Sequence, residues 1–207
     1  MDEQKLRRAE AVFFQRYPGG FLHPELLAVR KKHKVEQMIN LAATSFAKSN
    51  FKNTDLIIEN VVRVVSRSSM VSVFEKMNFR DFVRALNPVD KKLFAEGLKN
   101  FLHGNRQKGF ESMLGVLAKG RLAKWSLLTI IPNYFAPQQE VFIKPTTAKG
   151  VIAFFGLQGL HYNPFPDWEF YETYRQAILC MRNKVDTTLA PNNAAFCGFL
   201  MMSLREY

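Results

Sequence analysis

Cysteine is scarce in this chain, with two among 207 residues, Cys180 and Cys197. That excludes a disulfide scaffold, and the lack of any C-x-x-C spacing removes the usual frame of a structural zinc site. Long apolar runs are missing as well. The best, Ala194 to Met202, is about half of the ~18–20 residues a bilayer span needs and reads as a buried helix, so no membrane segment is expected. The start, Met1-Asp2-Glu3-Gln4-Lys5, has neither the apolar centre of a secretory signal nor the acid-poor character of a transit peptide. With unpaired thiols, this leads to the expectation of a cytoplasmic setting.

Recognisable catalytic and cofactor patterns are also absent. There is no phosphate-cradling G-x-x-x-x-G-K-[ST], no dinucleotide G-x-G-x-x-G and no nucleophile elbow G-x-S-x-G, so no cofactor is expected. The four histidines, His23, His33, His103 and His161, are scattered without ligand spacing, and no metal is expected. Proline (9) and glycine (11) are too few for a low-complexity or collagen-like chain. The 47% hydrophobic content excludes disorder and can bury the core of a single domain spanning 1–207.

Charge is what the sequence has in excess. The formal net charge is +11, and residues 1–128 carry all of it, with 23 Lys and Arg against 12 Asp and Glu. Residues 129–207 hold six of each sign. The expectation is a basic portion, 1–128, with a neutral portion, 129–207, packed on it. The densest cluster is Arg30, Lys31, Lys32, His33 and Lys34, and a second holds Lys119, Arg121 and Lys124 beside Trp125. Such asymmetry suits a polyanion, because every phosphate neutralised releases counterions. A solvated helix face accounts for the same residues without any ligand.

Apolar spacing is helical almost throughout. Leu6, Ala9, Val12 and Phe13 trace a first face, stopped by Pro18-Gly19-Gly20. A long second helix is predicted from Pro24 to Phe46, followed by helices over 54–65, 71–86, 90–102, 107–118 and 122–133. The 122–133 helix is apolar on most sides and therefore central. Glu140 to Lys144 reads as a short extended segment ended by Pro145, and Thr146 or Thr147 then offers a cap for a helix through Phe155. Two further helices, from Asp167 and after Asn193, complete an all-α irregular bundle of roughly eight to ten helices.

Three other groups carry chemistry. Lys144, Thr146, Thr147 and Lys149 at a helix start suit an anion. Trp125, Tyr162, Phe165 and Trp168 form an aromatic group that, if exposed, stacks bases or grips a peptide, and if buried fixes the loop. Asp167, Glu169 and Glu172 near Arg175 are explained by the helix dipole and an i, i+3 pair. Three readings follow. The first is a non-enzymatic basic helical module that contacts nucleic acid or another polyanion. The second is an interaction or scaffold domain for an acidic protein, or one that forms a homo-oligomer. The third is an enzyme with a small-molecule pocket between the halves, using Lys144, Thr146, Thr147 and the acids near Trp168.

Overall fold

Capping residues decide where most helices begin. In the computed structural model, which describes residues 1–204, eleven α-helices occur among the described residues. They are α1 (Glu3–Arg16), α2 (Pro24–Lys32), α3 (Val35–Ser45), α4 (Thr54–Arg67), α5 (Val73–Ala85) and α6 (Pro88–His103). The chain continues through α7 (Arg106–Lys119), α8 (Trp125–Phe135), α9 (Pro145–Phe154), α10 (Trp168–Arg182) and α11 (Asn193–Ser203). The side chains of Asp2, Asn53, Ser72, Asn87, Asn105, Asp167 and Asn192 each accept from a first-turn backbone N–H. Each such cap stabilises its helix by about 0.5–2 kcal/mol. At Ser72 the cap is reciprocal, since Glu75 accepts from the Ser72 backbone N–H in return.

The predicted long second helix is two helices. It breaks at Lys34, whose φ of +52° is left-handed. That conformation costs a lysine about 1–2 kcal/mol. The cationic run before it buries no residue, whereas the turn lets α3 lay Met38 and Ala42 into the core. His33 Nδ1 lies 2.8 Å from Ser69 Oγ and pins the break to the chain that follows α4. This split takes the helix count to eleven, just above the expected range.

Residues 140–144, expected as a short extended segment, lie in irregular chain; Lys144 has an extended backbone (φ −101°, ψ +121°), but no strand or sheet exists among the described residues. Val141 and Ile143 are fully buried, so their backbone needs other partners. Thr129 Oγ1 accepts from the Ile143 N–H at 3.0 Å, and the Asn193 amide donates to the Glu140 carbonyl at 3.0 Å. Neither Thr146 nor Thr147 caps α9. Lys144 is the residue before the helix, Pro145 fills its first turn, and Thr147 is buried.

The buried side chains form one contiguous cluster. At its centre α8 packs against α3, α4, α6 and α7. Leu127, Leu128, Ile130 and Ile131 on α8 are at most 1% exposed, and each contributes about 1.5–3 kcal/mol by burial. α6 and α7 form a close hairpin, α5 packs on α4, and α1, α9 and α10 each pack on α11. The charge boundary at 128/129 falls inside α8, and α1 packs with the neutral carboxyl-terminal helices.

Candidate polyanion interface

The cationic surface is built by the helices that leave α8 on its α3–α4 side. α4 buries Ile57, Val61, Val64 and Val65, which turns Glu59, Arg63 and Arg67 outward. α5 buries Phe79 and Val83 and leaves Arg80 and Arg84 towards solvent. Between α3 and the end of α4 runs an open groove of about 720 Å³, lined by Lys34, Gln37, Asn40, Thr44 and Arg67 together with the apolar Met38 and Leu41. A second groove of about 370 Å³, lined by Glu59, Arg63, Ser66, Arg67, Arg80 and Arg84, lies between α4 and α5. Arg67, at the end of α4, borders both grooves, which are together called the trough.

Acids neutralise part of this charge. Arg84 holds Glu59 in a fork, with Nε and Nη2 at 3.2 and 2.8 Å from its two oxygens. Arg80 pairs with Asp81 at 2.8 Å. Hydrogen bonding to these arginines holds the Glu59 and Asp81 carboxyls below their ordinary range. Both pairs are largely exposed, so each adds little to stability. Among the described residues, Arg63, Arg67 and Lys34 make no ion pair, and the exposed Gln37 and Asn40 amides have no hydrogen-bond partner. The trough thus offers unpaired cations alongside hydrogen-bonding amides.

The two basic clusters expected from sequence divide between free and committed groups. In the first, Arg30 pairs with Glu36. Lys31, Lys32 and Lys34 remain exposed and unpaired, and Lys34 joins the trough. In the second, Lys119 is held by the buried Asp90 at 2.7 Å and Lys124 lies 3.5 Å from Glu75. Arg121, left-handed at φ +56°, is exposed and free. His33 contacts Ser69 after α4, and Lys124 pairs with Glu75 in the first turn of α5.

The other expected groups are placed differently. Trp125 is 1% exposed, and its indole N–H donates to the Asn163 carbonyl at 2.7 Å, so it anchors the aromatic loop and meets no ligand. Tyr162 and Trp168 are half-buried against Phe170 and Phe101, and Phe165 alone stands out, at 55% exposure. Lys149 sits 4.9 Å from the Tyr162 ring centre, while Lys144 and Thr146 are exposed at the start of α9. Of the acids near Trp168, Glu169 is exposed and the other two are committed. Asp167 caps α10, and Glu172 is gripped by Arg175, with Nε and Nη2 at 3.0 and 2.7 Å. These residues line neither groove.

One network was not legible from sequence. Glu140, 5% exposed, accepts from Arg106 Nη2 at 2.9 Å and from the Tyr171 hydroxyl at 2.6 Å. Arg106 reaches Glu172 at 3.2 Å and lies 5.4 Å from the Trp168 ring centre. Desolvation, reinforced by the neighbouring Glu140 charge, pushes the Tyr171 phenol well up. The contacts make this a clamp between α7, α10 and the 140–144 segment, although the buried Arg106 Nε has no hydrogen-bond partner among the described residues. Arg63, Arg67, Arg80 and Arg84 also escaped notice, because each is locally isolated. Their signal was the i, i+4 spacing of arginine on the polar side of two amphipathic helices. Comparison with family models, with curated proteins and with solved structures returns no match to this chain.

Proposed function

We propose that the chain is a non-enzymatic helical module that contacts nucleic acid or a similar polyanion through the α3–α4–α5 trough. The observation that carries this reading is the pair Arg63 and Arg67, one turn apart on α4, unpaired and flanked by Lys34, Arg80 and Arg84. Phosphate contacts need cations and hydrogen-bond donors at a surface more than they need an enclosed pocket, and an open trough suits an extended strand. Gln37 and Asn40 supply amide donors to the same ligand.

The test is fluorescence anisotropy with labelled random-sequence duplex and single strands at low salt, comparing the native chain with Arg63→Glu/Arg67→Glu. Both positions are exposed, so folding should be kept. Binding that the double variant loses supports the reading. Absence of binding by the native chain ends it.

A further inference from the structure

The two grooves of the trough are lined by different chemistry. The α4–α5 groove holds four guanidiniums, those of Arg63, Arg67, Arg80 and Arg84, with the Ser66 hydroxyl and the Glu59 carboxylate. The α3–α4 groove holds the Gln37 and Asn40 amides and the Thr44 hydroxyl beside the apolar Met38 and Leu41, and its cations are Lys34 and Arg67. Gln37, Asn40, Leu41 and Thr44 recur at i, i+3, i+4 and i+7, so they share one face of α3. Phosphate oxygens only accept hydrogen bonds. They suit guanidiniums but leave the carbonyl oxygens of both amides and the two aliphatic side chains without a role. An amide both donates and accepts. So does the edge of a nucleobase, whose flat faces pack against apolar groups.

We infer that the α3–α4 groove takes unstacked bases of a single-stranded nucleic acid, while the unpaired arginines Arg63 and Arg67 hold its phosphates. This rests on the polyanion reading and narrows the ligand to a single strand. Gln37 and Asn40 pair with base edges as such amides do with adenine N6 and N7. Met38 and Leu41 meet the base faces, and Arg67, which borders both grooves, joins the base-binding groove to the phosphate-binding one. A duplex suits the α3–α4 groove poorly. Its base edges lie inside grooves of its own, about 8.5 Å deep on the major side, so the element that reads them must protrude. These amides instead line a hollow between two helices. The splayed bases of a single strand enter such a hollow.

The test measures fluorescence anisotropy of the full chain at one low salt concentration with labelled probes of equal length: a mixed-sequence single strand, its duplex, and an abasic strand that keeps every phosphate. The single strand is used as DNA and as RNA, and the tighter of the two identifies the sugar. The intact strand should bind at least about tenfold tighter than the abasic strand, and tighter than the duplex. In Gln37→Ala/Asn40→Ala, two exposed helix positions where alanine keeps the fold, the ratio of intact to abasic affinity should fall towards unity. Arg63→Glu/Arg67→Glu should instead weaken every probe. Equal affinity for intact and abasic strands, a duplex bound as tightly as the single strand, or a ratio that the amide variant leaves unmoved overturns the inference while the trough stays a phosphate site. If the native chain binds none of the probes, the polyanion reading falls and takes this inference with it.

Discussion

The α6–α7 hairpin is drawn together at Gly109, and adding one methyl group there should force it apart. A Cβ at this position would lie 2.2 Å from the Phe101 nitrogen, 2.6 Å from the Gly97 oxygen and 2.7 Å from the Phe101 Cα. All three are backbone atoms, so no rotamer change relieves the clash, and the helices must separate to reach ordinary contact. Separation loosens Leu98, Phe101, Phe110 and Met113, all at most 2% exposed. Overpacking of this kind costs about 1–3 kcal/mol or more, against a gain in helix propensity of about 1 kcal/mol. The net expectation for Gly109→Ala is a loss of about 2 kcal/mol, or roughly 4–8 °C in Tm for a chain of this size. Gly115 is the control. It lies on the same helix with nothing within 4 Å of an added Cβ, so Gly115→Ala should gain about 0.5–1 kcal/mol. Thermal unfolding followed by circular dichroism reads both. A midpoint unchanged or raised in Gly109→Ala, or lowered equally in both variants, refutes this packing.

Other substitutions probe the clamp and the thiols. Glu140→Ala removes the carboxylate shared by Arg106 and Tyr171 and should cost about 2–4 kcal/mol in urea unfolding, with Glu140→Gln less harmful because it keeps an acceptor. The Glu172 carboxyl, hydrogen-bonded by Arg175, is held down from 4.5 to about 2. Its lowered value means that it stabilises the fold above pH 4.5 and that this contribution fades as pH falls towards 2. Stability measured across that window should drop more steeply in the native chain than in Glu172→Gln, and parallel curves would remove the pair from the account. Burial pushes the Cys197 thiol up to about 12 while Cys180 is exposed. Iodoacetamide followed by mass spectrometry should therefore modify Cys180 first, and equal labelling would contradict the placement of Cys197.

Much of the fold was legible because helix signals are local. Asn53 and Asp167 cap the helices that their sequence positions foretell, and the apolar character of Leu127 to Ile131 marks α8 as central. The break at Lys34 was not legible, since a left-handed lysine has no sequence signature and is enforced by where Met38 and Ala42 must pack. That 140–144 is not helical could be read from Val141, Phe142 and Ile143. Its lack of a strand partner could not, because Thr129 and Asn193, distant in sequence, satisfy its backbone. The site was half visible. A run such as Arg30 to Lys34 stands out to the eye, but an ion pair such as Arg30 with Glu36 or Lys119 with Asp90 exists only after folding. The trough arises where α4 and α5 bring two i, i+4 arginine pairs face to face.

The salt dependence of oligonucleotide affinity tests the central claim most directly. Five cations make no ion pair among the described residues: Lys34, Arg63 and Arg67 in the grooves, and Lys31 and Lys32 at the end of α2 just before them in the chain. If all five meet phosphates, log affinity against log salt should fall with a slope of about −4.5 on duplex DNA or about −3.5 on a single strand. Arg63→Glu/Arg67→Glu should flatten that slope by about 2. A slope near zero, or one that the double variant leaves unchanged, contradicts the proposal that this trough is where a polyanion binds.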